Sequence, residues 1–168
     1  EILTRAVSAS APASARPEEM LDYLSSAIQQ DFPSLDADSY TVKYVPESMK
    51  EFSSPAFYLT PPIDTLSPNT IYINQSSQIS GTELFTTLAH EGFPGHLYQT
   101  LYYGNTRPSP IRGLLSCSGY IEGWATYVES LSYGYGADFL KIEPDVMRFL
   151  WLNRSLSLCL YSLLDLVI

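Results

Sequence analysis

The chain has 168 residues, enough for one domain with a buried hydrophobic core, so 1–168 predicts a single domain. Hydrophobic residues make up 45% of the sequence and charged residues only 16%, which excludes a disordered chain. The formal net charge of −9 argues against nucleic acid or an anionic membrane as a partner. Two cysteines, Cys117 and Cys159, are too few for a disulfide framework, so cysteine usage assigns no cellular compartment.

The first half of the chain predicts one helix followed by a small antiparallel sheet, over residues 17–80. Residues 1–16 are rich in small and polar side chains and predict a lead-in or linker. Pro17 and the two acidic residues after it predict a first helical turn, in a helix that ends near residue 33. Segments rich in β-branched and aromatic residues predict strands at 40–45, 56–59 and 70–74.

The middle of the chain predicts two helices separated by a loop. Ser80, followed three residues later by Glu83 and an apolar run, forms a capping box that predicts a helix start. A segment rich in Pro, Gly and Ser follows at 104–110 and predicts a loop. The next helix is predicted from about Leu114 to Tyr133, because the glycines of Gly134-Tyr135-Gly136 are typical of a helix end.

Pro144 predicts the start of the last helix. Its apolar end, residues 156–168, we interpret as a buried core helix and not a membrane span, because the apolar stretch is short and Arg148, Asn153, Arg154 and Asp165 interrupt the helix to which it belongs. This helix ends without a stop signal, and we expect the chain to be a segment of a longer protein. Residues 81–168 therefore predict a helical core, and the fold class is α+β, mostly helical.

Both histidines of the chain lie in the stretch His90-Glu91-Gly92-Phe93-Pro94-Gly95-His96. Two imidazoles with a carboxylate beside the first are typical of the ligands and general base of a zinc hydrolase. A spacing of six residues places them about 120° apart on a straight helix, so a regular helix could not bring both to one metal ion. Pro94 and Gly95 interrupt helical hydrogen bonding, and the hypothesis requires the segment to bulge and return His96 beside His90. Alternatively, Pro94-Gly95 ends one helix and starts another, and the histidines diverge.

Catalytic zinc takes three protein ligands, so the two histidines leave one ligand to be found. The segment 121–129 contains the candidates. Glu122 and Glu129 are seven residues apart and share one face of a helix. The sequence around Glu122 is apolar and aromatic, which predicts a buried carboxylate that a metal ion would neutralise. The alternative is a carboxylate that caps a helix or accepts hydrogen bonds from tyrosines.

The two motifs, H-E-x-x-P-G-H at 90–96 and E-G-W-A-x-Y-x-E at 122–129, together resemble a bacterial family known as domain of unknown function 885. The approach to the first motif, at 54–62 and 71–74, is also similar. The resemblance spans roughly residues 40–168. It implies a zincin-like core of the gluzincin type, as in metallopeptidases, and members that extend beyond this chain on both sides.

The resemblance also implies roles for individual residues. The zinc ligands would be His90, His96 and Glu122. Glu91 would be the general base that activates a water for hydrolysis of a peptide or amide bond. Glu129 would hydrogen-bond the outer nitrogen of a ligand histidine, and Tyr127 would do the same or pack.

Two functions follow from these residues. One is a zinc-dependent metallopeptidase acting on a peptide or small amide substrate. The other is a non-catalytic binding or scaffold domain with a zincin-like architecture. Glu91 favours the first, because a purely structural metal site has no use for a base that is not a ligand. In the last helix, Arg154 and Asp165 are candidates for buried polar partners, but an intrahelical or interhelical ion pair is the favoured interpretation. Cys117 is predicted to be a small buried hydrophobe.

Overall fold

The computed structural model of the chain describes residues 1–9, 15–35, 40–75 and 79–167. Within those ranges it has seven α-helices and a three-stranded sheet, which confirms the mostly helical α+β class. The helices are α1 Ile2–Ala9, α2 Pro17–Ala27, α3 Gly81–Glu91, α4 His96–Asn105, α5 Pro110–Leu114, α6 Ser118–Leu140 and α7 Pro144–Val167. The strands are β1 Tyr40–Tyr44, β2 Ala56–Leu59 and β3 Asn69–Ile73.

The N-terminal segment departs from the predicted lead-in. Residues 2–9 form α1, which packs against α7, and Ala6 is buried. An ion pair between Arg5 and Glu143, just before α7, supports the same contact. The prediction of a linker is therefore wrong for this part, because small residues such as Ala are also good helix formers once a neighbour covers one face. Residues 10–14 of the predicted lead-in lie outside the described residues.

The sheet has the strand order β1-β3-β2, and its directions are mixed. β2 pairs antiparallel with β3, as predicted, with Tyr58 opposite Ile71. β1 pairs parallel with β3, with Tyr40 opposite Asn69, so the prediction of an antiparallel sheet is wrong for β1. Alternating side chains identify the face that a strand buries, but they carry no information on the direction of its neighbour.

The core lies between the sheet and the helices α2, α3 and α4. Its fully buried side chains include Met20 and Leu24 of α2, Ile71 of β3, and Phe85 and Leu88 of α3. Burying each of these side chains stabilises the fold by roughly 1.5–3 kcal/mol. Because α3 is enclosed on this side, the position of its last turn is well determined, and that turn carries His90.

The predicted start of α3 is confirmed. The Ser80 hydroxyl oxygen accepts a hydrogen bond from the Glu83 backbone N–H at 3.1 Å, as expected for an N-cap. The cap fixes where the helix begins, and the buried stripe that follows fixes its rotation. Together they direct the C-terminal end of α3 toward α6, which it contacts extensively.

Helix α6 is longer than predicted. It continues to Leu140 and ends where Lys141 adopts a left-handed conformation with φ of 57°. Gly134-Tyr135-Gly136 therefore lies inside the helix, and the predicted helix end is wrong. A Cβ atom at Gly136 would come within 2.9 Å of Met147 Cε and 3.2 Å of Phe85, so this glycine allows close packing of helices instead.

Helix α7 starts at Pro144, as predicted, but its apolar end is not buried. Leu156 is 60% exposed and Leu164 is 56% exposed, whereas Val146 and Met147 near the start are enclosed. The prediction of a buried core helix is therefore wrong for this part: in the described structure α1 and α6 pack on α7, yet its last residues, 159–167, are exposed throughout. Cys117, predicted to be buried, is also exposed, as is Cys159.

Among the described residues, no helix has both the length and the apolar character needed to cross a membrane, in agreement with the prediction for α7.

Candidate metal centre

The two histidines converge although the helix between them is broken. α3 ends at Glu91, residues 92–95 form a tight loop, and α4 begins at His96. The imidazole rings of His90 and His96 lie with their centroids 4.9 Å apart and their planes at 87°. The predicted return of His96 beside His90 is confirmed, and it is achieved by two helices meeting at an angle.

Glycine is required in this loop because two backbone segments approach each other there. A Cβ atom at Gly95 would overlap the carbonyl group of His90. The backbone N–H of Tyr98 donates to the Gly92 carbonyl at 3.2 Å, which closes the loop. The short step from α3 to α4 therefore depends on the absence of a side chain at Gly95.

Glu122 of α6 completes the cluster. Its Oε2 lies 3.5 Å from His90 Nε2 and 3.6 Å from His96 Nε2. Its side chain is 61% exposed, so the prediction of a buried carboxylate is wrong, because residues 111–123 of α5 and α6 are all exposed. The predicted meeting of Glu122 with both histidines nevertheless occurs.

Two of the three spacings in this cluster match those between ligands of a zinc ion. One ligand atom from each of His90, His96 and Glu122 lies within 4.8 Å of the others. Zinc bonds of about 2.0–2.2 Å place the ligand atoms of a tetrahedron about 3.3–3.6 Å apart, which matches both carboxylate–imidazole distances. Two imidazoles and one carboxylate are also the ligand set of known catalytic zinc sites, with a fourth position left for water.

The outer nitrogen of His90 has a partner, as predicted. His90 Nδ1 and Glu129 Oε2 are 3.2 Å apart, and the Glu129 side chain is only 7% exposed. Arg154 of α7 donates from Nε to the other oxygen of Glu129 at 3.1 Å, which confirms the predicted ion pair for Arg154. Asp165, predicted to pair in the same way, is exposed near the end of α7. The chain Arg154–Glu129–His90 orients the first imidazole.

Charge around the cluster favours a cation. Burial alone lowers the pKa of His90, but its hydrogen bond to the Glu129 carboxylate and the charges of Glu91, Glu129 and Glu122 outweigh it and raise the pKa above 6.5. Burial lowers the pKa of His96 below 6.5, and the charge of His90 acts in the same direction. Burial opposes ionisation of Glu129, yet its bonds to His90 and Arg154 hold its pKa below 4.5. The carboxylates of Glu91, Glu122 and Glu129 thus stabilise a positive charge on His90, whereas burial opposes one on His96.

Glu91 lies beside the cluster without belonging to it. Its Oε2 accepts a hydrogen bond from the backbone N–H of Tyr58 in β2 at 2.9 Å. This donor was not predicted from the sequence, because nearly every residue has a backbone N–H and the sequence does not show which one will contact Glu91. The sheet therefore holds the carboxylate that follows the first histidine.

Tyr127 lies away from the histidines. It is 57% exposed, and its ring packs at 6.2 Å from that of Trp124. Of the two roles predicted for it, packing is the one observed. The indole N–H of Trp124 donates to the carbonyl of Pro94 at 2.9 Å. That bond joins α6 to the loop between the histidines.

Comparison with known families decides the relationship that the motifs suggested. The family model described as "Bacterial protein of unknown function (DUF885)" matches residues 9–161. The chain belongs to this family. The match contains the histidine loop, Glu122, Glu129 and Arg154, so the whole cluster lies within the family's shared region.

The fold is also similar to a solved structure, the crystal structure of the putative lipoprotein from Colwellia psychrerythraea. The TM-score is 0.67 and the sequence identity is 23%, over 79% of this chain. The chain spans 23% of the length of that protein. At this identity the likeness concerns the fold alone. None of the curated proteins matches the chain.

A cleft of about 600 Å³ opens beside the cluster in this family member. Its walls come from β2, α3, α6 and α7, and they include His90, Glu91, Tyr133 and Arg154. Polar hydroxyls from Ser80, Thr86 and Thr87 line the same space. A molecule in the cleft would therefore lie against both the His90 imidazole and the Glu91 carboxylate.

Proposed function

We propose that this chain carries the centre of a zinc-dependent hydrolase that cleaves peptide or amide bonds. His90, His96 and Glu122 would hold the zinc, and Glu91 would be the general base. The observation that carries the proposal is the position of Glu91, which follows a ligand directly and is held by Tyr58 outside the ligand cluster. A structural metal site needs no such residue.

A bound zinc ion supplies two effects at such a site, a lowered pKa of water and a polarised carbonyl group. Proton transfer would be carried out by the chain's own residues. Glu91 has Oε2 engaged with the Tyr58 N–H, and among the described residues Oε1 has no hydrogen-bond partner. Oε1 is therefore the atom that accepts a proton from the attacking water and returns it to the leaving amine nitrogen.

The cleft supports a substrate of peptide type. Its volume of about 600 Å³ lies within the range of ordinary small-molecule sites, which are about 300–1,000 Å³. It has both hydroxyl and carboxylate groups for hydrogen bonds to amide groups, and the apolar ring of Tyr133 beside them. We propose a short peptide or a small amide as the substrate.

Metal content is the first test. Elemental analysis of the purified chain supplied with zinc should find about one zinc ion per chain, and the His96→Ala variant should lose it. A wild-type chain without zinc would contradict the metal site itself.

The second test concerns the base. The Glu91→Gln variant should keep its zinc, because Glu91 is not a ligand, and it should lose hydrolysis of a mixed fluorogenic peptide library by a factor of about 10² to 10⁴. Undiminished hydrolysis by Glu91→Gln would contradict the assigned base.

The second candidate is a non-catalytic binding or scaffold domain that retains the zincin-like architecture. The 61% exposure of Glu122 is the observation in its favour, because one side of the cluster is open to water. In that case the wild-type chain would bind zinc and hydrolyse no peptide of the library, and Glu91→Gln would change neither property.

A further inference from the structure

The third ligand of the cluster lies on an unsupported part of its helix. Residues 118–123, the first turn and a half of α6, are all exposed. The N-cap residue Cys117 makes no side-chain capping bond. A helix start with free N–H groups and no packing frays readily. Something further along α6 must therefore hold Glu122 in place.

Apart from the contacts of the Glu122 carboxylate itself with the two histidines, Trp124 is the first described residue of α6 with a specific bond to the rest of the molecule. Its indole N–H donates to the Pro94 carbonyl at 2.9 Å, and its ring packs edge-on against Phe32 with centroids 6.0 Å apart. Pro94 is fully buried and lies two residues before His96. This bond connects the turn that carries Glu122 with the loop that precedes the second histidine, and it does not depend on the Glu122 carboxylate.

We infer that Trp124 is a positioning residue whose indole N–H sets the distance between the Glu122 carboxylate and the two imidazoles. The inference rests on the proposed zinc site, and it adds a residue that touches neither metal nor substrate. Without the bond, α6 keeps its later contacts, but its first turns lose their fixed place beside the loop. The third ligand would then have to be ordered at the moment of metal binding, at a cost in affinity.

The test is the affinity for Zn²⁺, measured by competition with a chromophoric chelator. Trp124→Phe keeps the aromatic ring and removes the N–H, and it should weaken zinc binding about tenfold. Trp151→Phe is the matched control, because Trp151 is the chain's other tryptophan and lies on α7 against Tyr133. It should leave the affinity unchanged. Equal affinities of Trp124→Phe and wild type would overturn the inference.

A double-mutant cycle separates positioning from a general loss of structure. In a Glu122→Ala background the third ligand is absent, so Trp124→Phe should have no further effect on the residual affinity of the two histidines. The same tenfold loss in both backgrounds would mean that Trp124 acts on the histidine loop or on the fold, and would overturn the inference. A wild-type chain that binds no zinc would overturn the proposed function as well. Zinc binding that is insensitive to Trp124→Phe would overturn only the inference.

Discussion

Gly95 has no side chain where the backbone of the histidine loop folds back on itself. A Cβ atom there would overlap the carbonyl group of His90 and the carbonyl oxygen of Ala89. These are main-chain atoms of a helix, which cannot change rotamer to make room as a side chain can. The loop therefore tolerates no side chain for reasons of space.

We expect Gly95→Ala to lower the free energy of unfolding by roughly 2–4 kcal/mol and to abolish zinc binding, because the clash separates α3 from α4. Urea denaturation and metal analysis measure the two effects. Gly119→Ala is the control: no heavy atom lies within 4 Å of the added Cβ, so stability should change by about 0.5 kcal/mol or less. A stable Gly95→Ala variant with bound zinc would contradict the described loop.

Two glycines of α6 show why the extent of an element is harder to predict than its existence. Gly134 and Gly136 resemble a helix end in the sequence, yet both lie inside the helix. Their surroundings differ: open space surrounds a Cβ at Gly134, whereas Met147 and Phe85 crowd one at Gly136. The sequence shows two glycines, and only the packed structure distinguishes a flexible position from a close contact.

The pair also provides a test. Gly134→Ala should raise the free energy of unfolding by about 0.5–1 kcal/mol, because alanine favours the helix and nothing obstructs it. Gly136→Ala should lower it by about 1–2 kcal/mol, because the added methyl group pushes α6 away from Phe85 and Met147. Chemical denaturation of both variants measures the difference. Two alanine variants of equal stability would indicate that the helix ends before these positions.

The sequence predicted the parts of the site that depend on local chemistry. The cap at Ser80, the helix that leads to His90 and the break at Pro94 were all predicted, and the geometry agrees. Their spacing placed Glu122 and Glu129 on one helix face, and the family resemblance implied that they lie beside the histidines. These features are encoded in residue types at short spacings.

The remaining features depend on contacts between distant segments. The Tyr58 backbone donor to Glu91 and the parallel pairing of β1 arise only when the sheet is placed beside α3. The exposure of Glu122 was missed for a related reason, since an apolar sequence neighbourhood does not guarantee that anything packs on it. Local patterns predict elements, and tertiary packing determines what surrounds them.

The molecule as a whole is acidic and rich in tyrosine, with 13 tyrosines in 168 residues. Burial raises the pKa of three of them, Tyr40, Tyr58 and Tyr133, from 10.0 to about 12. Nearby acids contribute at two sites: Asp22 at Tyr40 and Glu129 at Tyr133. These phenols are spread over β1, β2 and α6, so their titration involves most of the fold.

We therefore expect the stability of the metal-free chain to fall between pH 10 and about 12. In that range the unfolded tyrosines release their protons while the folded ones keep them, so each phenol lowers the free energy of unfolding by up to about 1.4 kcal/mol per pH unit. Urea denaturation at several alkaline pH values measures the slope. Tyr133→Phe should reduce it, and Tyr161→Phe, at a tyrosine that is 66% exposed, should not. A slope unaffected by Tyr133→Phe would contradict the prediction.

The bond between Tyr58 and Glu91 has a second consequence, for the association of one molecule with another. β2 is an edge strand, and an edge strand with free N–H groups is a template on which a strand from another chain can add. The Glu91 carboxylate occupies the N–H of Tyr58 in the middle of that edge and places a negative charge beside it. The residue proposed as the base thus also occupies a backbone donor with which a strand of another molecule could otherwise pair, whether or not it acts as a base.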